Sequence, residues 1–176
     1  GFTPSTQVLS DPTYHDGKGE RTFVNVIGAA NARAEETGAP AAAMELPSGE
    51  IITGKTSELL GASSALLLNA LKKLAGLEDE LHMIAPTVIE PIQKLKIKHL
   101  GNANPRLHTD EVLIALSICA ATDEKAKRAM EQLPNLRGSE VHSSVILSQV
   151  DKNIFRKLGI NLTCEPVYQT KKLYHK

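Results

Sequence analysis

Alternating strand-like and helix-like segments predict an α/β domain: a single mixed β-sheet with helices packed on it, preceded by an irregular N-terminal arm and helix. Three observations predict it. Two short β-type runs, residues 40–46 and 51–54, flank the turn chemistry of Pro47-Ser48-Gly49-Glu50. Residues 141–148 and 160–164 read as later strands. Between and around them, apolar residues recur at three- and four-residue spacing, the mark of helices packed on one face.

The elements follow in order. Residues 1–20, rich in Pro, Ser, Thr, Asp and Gly, read as an arm. Val24, Ile27, Ala30 and Ala34 predict a helix over 21–37, stopped by Gly38 and Pro40. After the hairpin, Thr56 or Ser57 is expected to cap a helix running to Ala75. Its leucines surround most of its circumference, so it is either buried or shared with a partner subunit. Residues 81–85 suggest a short strand, and Pro86 suits the first turn of the next helix. Thr109 is expected to cap a helix, Thr122 or Asp123 another, and Asp151 a short one ending at Gly159. The basic tail, 171–176, has no assigned element. Residues 1–38 are thus read as arm and linking helix, and 39–176 as the α/β domain.

Composition narrows the function. Lys plus Arg and Asp plus Glu each number 20, interleaved along the chain, so no basic surplus points to nucleic acid as a partner. No apolar run approaches the ~20 residues of a membrane helix. Aromatics are only 3%, so the core must be built from Leu, Ile, Val and Ala. No leader is visible, and the two cysteines, Cys119 and Cys164, stand far apart. Both features fit a cytoplasmic protein with free thiols. No His pair has ligand spacing, so no metal site is expected, and the residues specify no cofactor.

The sharpest motif is Gly49-Glu50-Ile51-Ile52-Thr53-Gly54-Lys55-Thr56, which satisfies the phosphate-loop pattern letter for letter. A phosphate loop wraps its N–H groups around the anion, whereas the β-branched pair Ile51-Ile52 prefers an extended pleat. A hairpin is therefore the better reading. A weaker version keeps Lys55, Thr56 and Ser57 as an anion site at a helix N-terminus, weighed against simple capping. Arg106 and His108, beside Asp110 and Glu111, could bind a carboxylate or phosphate and transfer a proton. The competing reading is that these acids only stabilise a first turn. His142, in the strand-like run, is a third catalytic candidate, weighed against a half-buried structural histidine.

Several strings carry a family resemblance. They are Ala34-Glu35-Glu36-Thr37-Gly38, the hairpin from Glu45 to Lys55, Glu90-Pro91-Ile92-Gln93-Lys94-Leu95-Lys96, Asn104-Pro105-Arg106-Leu107-His108, and Gly138-Ser139-Glu140-Val141-His142-Ser143 with Lys157-Leu158-Gly159-Ile160-Asn161-Leu162-Thr163. Together they resemble the C-terminal domain of a bacterial domain-of-unknown-function family, number 1846. The resemblance implies a cytosolic homo-oligomer and a missing N-terminal domain that holds the family's own phosphate-loop-like segment. Three readings follow. The first is the C-terminal part of a larger, nucleotide- or phosphate-linked enzyme with a small anionic ligand. The second is a structural domain that drives assembly, and the third a self-contained phosphate-loop protein.

Overall fold

The structure is a computed structural model that describes residues 17–169. Residues 1–16 of the expected arm and the basic tail over 171–176 lie outside the described residues. The element order is helix α1 (Gly17–Thr37), strands β1 (Ala41–Glu45) and β2 (Ile51–Lys55), helices α2 (Ala62–Leu74), α3 (Pro86–Lys94), α4 (Thr109–Ala120) and α5 (Glu124–Met130), strand β3 (Glu140–Ser143), helix α6 (Gln149–Lys157) and strand β4 (Asn161–Cys164). A π-helical turn, Leu95–His99, extends α3.

The strands form one mixed sheet in the order β2-β1-β3-β4. β1 runs antiparallel to both β2 and β3, and β3 runs parallel to β4, joined to it through α6. The α/β class with a single mixed sheet is therefore as expected.

Side chains alternate across the sheet and sort its two faces. Ala42 and Met44 of β1 and Val141 of β3 join the main core, which also takes Leu66, Leu67 and Leu71 of α2, Val112 and Leu116 of α4, and Phe155 of α6. Ala43 faces the other way and packs with Val26 and Ala30 of α1. Leu66, Leu67 and Leu71 of α2 are fully buried, each worth about 1.5–3 kcal/mol relative to exposure. Of the two expectations for this helix, burial inside its own domain is the one found.

The phosphate-loop pattern is a β-hairpin. Ile51 pairs with Glu45 and Lys55 with Ala41, and Gly49 at φ +93° completes the turn by donating to the Leu46 carbonyl at 2.8 Å. The second glycine of the pattern is required by packing rather than by a ligand. A Cβ on Gly54 would lie 2.3 Å from the Leu66 nitrogen, so only glycine lets β2 cross α2 at this distance.

Several expectations are corrected. Helix α1 starts at Gly17, within the segment expected to be irregular. Residues 81–85 form no strand; Met83 and Ile84 are buried in the core while the backbone bends towards Pro86. Strand β3 stops at Ser143 rather than Ser148, because the Ser143 hydroxyl accepts the Val145 N–H and donates to its carbonyl, turning the chain off the sheet. Helix α2 begins at Ala62 after Gly61, so neither Thr56 nor Ser57 caps it. Ser57 instead closes a tight loop, its hydroxyl accepting the N–H groups of Leu59 and Leu60. His108, not Thr109, holds the N-cap of α4, and Ser148, not Asp151, caps α6. Asp123 caps α5 as expected, through the Lys125 N–H.

Candidate functional site

The loop over 104–108 carries the strongest site. Its conformation is set locally, since the Asn104 carboxamide oxygen accepts the Arg106 N–H at 3.0 Å and presents the Arg106 side chain inward. The loop is fixed against the Thr56–Gly61 segment by Leu107 N–H to the Leu59 carbonyl and Gly61 N–H to the Leu107 carbonyl. Arg106 adds a third tie, its Nε donating to the Ser57 carbonyl.

Arg106 is only 5% exposed, and its Nη1 is shielded from solvent with no hydrogen-bond partner among the described residues. Ser63, 2% exposed in the first turn of α2, has a hydroxyl in the same condition. Both residues line one cavity of about 290 Å³, together with Gly61, His108, Ser148 and Asp151. Buried polar groups are normally paired, and an uncompensated guanidinium nitrogen is the costly exception. The first intrahelical bond of α2 runs from Ala65 N–H to the Gly61 carbonyl, so the N–H groups of residues 62–64 have no intrahelical acceptor. Positive potential from this helix start and from Arg106 thus meets at one cavity.

A histidine–carboxylate pair stands at its wall. His108 Nδ1 lies 3.7 Å from Asp151 Oδ2, an ion-pair distance rather than a formed hydrogen bond. The Asp151 carboxylate raises the His108 imidazole above its ordinary value, against burial and the nearby Lys96 charge. Burial pushes the Asp151 carboxyl upward, but His108 and Thr109 outweigh it and hold the group below its ordinary value. Oδ1 of Asp151 accepts both the Thr109 N–H and the Thr109 hydroxyl.

Behind this wall, Lys96 is buried. Its ammonium donates to Glu111 at 2.8 Å and to the Arg106 carbonyl. Glu111 in turn accepts the His108 N–H at 2.8 Å, which completes the start of α4. One buried cation thereby fixes the backbone of both candidate residues.

The other sequence candidates go elsewhere. Thr56 lines the same cavity as Arg106 and His108. Lys55 and Ser57 line a different cavity across the Thr56–Gly61 segment, and the helix start invoked for them lies at Ala62. His142 lines neither. Paired with Ala43 in the register, it lies on the α1 face of the sheet. There Nδ1 is 2.7 Å from the Thr163 hydroxyl and Nε2 is 3.4 Å from Glu165, which also accepts the Asn31 carboxamide at 2.9 Å. Burial lowers the His142 pKa, opposed by Glu165, so the ring is held towards neutrality inside a structural cluster.

Sequence reasoning took Asp151 only as a helix cap and gave no site role to Lys96 or Ser63. Lys96 stands between Leu95 and Ile97, which read as the apolar points of the helix yet are 48% and 42% exposed, while Lys96 is 2% exposed. The π-helical turn rotates it inward, and such turns recur at functional sites. Among the described residues, no group of His, Cys, Asp or Glu could hold a metal ion. No helix among them is long and apolar enough to cross a membrane.

Fold and site together define the class: a mixed-sheet α/β domain with a polar cavity built from a loop and a helix start. The chain belongs to the family described as Domain of unknown function DUF1846, C-terminal, which it matches over residues 22–174. It is 60% identical over 151 residues to a UPF0371 protein of Corynebacterium urealyticum, covering 86% of this chain and 30% of that protein. It is 55% identical over 152 residues to a UPF0371 protein of Streptococcus pyogenes and 58% identical over 151 to one of Streptococcus thermophilus. Each of these pairings covers 86% of this chain and 31% of the relative, so the chain spans about a third of the relatives it matches.

Proposed function

We propose that this domain supplies an anion-binding, acid–base site to a larger, oligomeric cytoplasmic enzyme, and that the ligand carries a phosphate or carboxylate. One observation carries the reading: a buried Arg106 with an unpartnered Nη1, in a cavity that also holds an unpartnered Ser63 hydroxyl. A bound oxyanion satisfies both, and takes further N–H donors from the start of α2. His108 then stands within the same cavity to give or take a proton, with Asp151 fixing its ring. Asp151 is itself an anion in the wall, and its charge is already engaged by His108 and Thr109. The remainder of the longer protein, or a neighbouring subunit, completes the substrate pocket. A nucleotide-linked substrate is one member of this class.

The test is a titration of the 176-residue chain with inorganic phosphate, followed by amide chemical shifts. Saturable shifts centred on residues 61–64 and 106–108, weakened at least tenfold by Arg106→Ala, support the site. Equal binding by the variant overturns it.

A purely structural role is the second reading. Ile114 and Ile118, four residues apart on α4, are 59% and 62% exposed, an apolar pair of the kind interfaces use. Sedimentation of the chain tests it: self-association lost in an Ile114→Lys, Ile118→Lys variant supports assembly through α4. A strict monomer at high concentration counts against it for this chain.

A further inference from the structure

The Thr56–Gly61 segment has a cavity on each side. The second, on the Lys55 side, is a half-open cleft of about 400 Å³ between β2, α2 and the segment over 81–86. Its walls include Leu60, Leu68, Met83 and Ile89. At Gly54, β2 and α2 touch so closely that a methyl group cannot be inserted.

The charge at this cavity has one sign. Arg33, Lys55 and Lys72 line it, and no carboxylate does. Two of the three cations are partly engaged. Arg33 pairs through Nη1 with Glu36 at 3.0 Å, though its Nε is shielded and unpartnered. Lys72 donates to the Asp79 carbonyl at 2.6 Å, with the Asp79 and Glu80 carboxylates close enough to act on it. Lys55 is exposed at the end of β2 and forms no ion pair among the described residues. The available positive charge is therefore at Lys55, beside an apolar interior.

We propose that this cavity is a second ligand site, which takes a small amphipathic anion with its apolar body against Leu60, Leu68, Met83 and Ile89 and its carboxylate or sulfonate towards Lys55. Pockets of this volume that are mostly apolar with a few placed polar groups are the usual form of small-molecule sites. The hydrocarbon body supplies the affinity, and Lys55 supplies preference for an acid over a neutral molecule of the same length. Ala65, half-buried on the α2 wall, is the position where added bulk would fill the space.

The experiment uses the 176-residue chain, with 1-anilinonaphthalene-8-sulfonate as fluorescent probe and octanoate and octan-1-ol as competitors. Expected are a saturable fluorescence rise, displacement by octanoate, and at least tenfold weaker probe binding by Ala65→Leu. Lys55→Ala should weaken octanoate at least threefold and leave octan-1-ol unchanged. Amide shifts of the unmodified chain should move with octanoate over residues 53–60, 65–69 and 81–84. That mapping decides the matter alone if Ala65→Leu does not fold. Undiminished probe binding by a natively folded Ala65→Leu chain, octanoate shifts centred on 106–108, or equal affinity for octanoate and octan-1-ol overturns the proposal. Phosphate shifts centred on 61–64 and 106–108 are distinct from octanoate shifts over 65–69 and 81–84, so the two readings fail separately.

Discussion

Asp151 accepts the backbone N–H of Thr109 at 3.0 Å and its hydroxyl at 2.7 Å, binding the first turn of α6 to the first turn of α4. Thr109 is fully buried, so both donors depend on this one carboxylate oxygen. The other oxygen faces His108. A structural tie and a tuning contact thus share one side chain.

Replacing Asp151 separates these two roles. Asp151→Ala leaves two buried donors unpaired and should destabilise the chain by about 3 kcal/mol in urea unfolding. Asp151→Asn keeps an acceptor for Thr109 and removes the charge. It should lose less stability, and the His108 pKa, followed by the imidazole proton shifts, should fall towards its ordinary value. An unchanged His108 titration in Asp151→Asn would show that the carboxylate does not tune the ring.

The hairpin reading of the phosphate-loop pattern makes its own prediction. Gly54→Ala forces a methyl group against the backbone of Leu66 and should cost about 1–3 kcal/mol, as overpacking does. Lys55→Ala, at an exposed strand end, should change stability by less than about 0.5 kcal/mol. Magnesium nucleotide should show no binding that depends on Lys55. Lys55-dependent nucleotide affinity, measured by calorimetry, would restore the phosphate-loop reading.

Much of this organisation is written in local chemistry. The Pro47–Glu50 turn, the β-branched pair Ile51-Ile52 and the apolar circumference of α2 each give the right element, because turn dihedrals, pleat preference and burial act over a few residues. The failures are tertiary. Leu81 to Ala85 has strand-like composition, yet Met83 and Ile84 are taken into the core and the backbone joins no ladder. His142 follows strict alternation, but alternation does not say which sheet face meets α1 and which meets the main core. Arg106 and His108 were legible as a polar cluster at a helix start. The partners that give them meaning, Lys96, Ser63 and Asp151, are distant in sequence and are brought in by a π-helical turn and by two other helix starts.

Lys96 tests how strongly that hidden support controls the site. Removing a buried cation leaves Glu111 and the Arg106 carbonyl without their shared donor, and breaking one side of such a pair costs about 3 kcal/mol. Lys96→Met should therefore destabilise the chain and also weaken phosphate binding, because the backbone of Arg106 and His108 relaxes. A Lys96→Met, Glu111→Gln chain should recover part of the stability without recovering the affinity. Full recovery of both would mean that Lys96 balances a charge and positions nothing.

Half-buried His108 and buried His142 pull stability in opposite directions with pH. His108 has a raised folded pKa, so its contribution is fully present below the ordinary value of 6.5 and is lost as pH rises through the folded value. His142 has a lowered folded pKa, so the unfolded chain takes up a proton first as pH falls through 6.5, and its contribution is lost on acidification. Urea unfolding across pH 5 to 8 separates them by slope rather than by absolute stability. His142→Gln should reduce the loss of stability below about pH 6.5, whatever its effect at pH 8. His108→Gln should leave that acid slope nearly unchanged and instead remove a loss of stability as pH rises above about 6.5, where its contribution falls away. If His142→Gln leaves the acid slope unchanged, the imidazole in the Asn31–Glu165–Thr163 cluster is charged in the folded chain, and Glu165 rather than burial governs it.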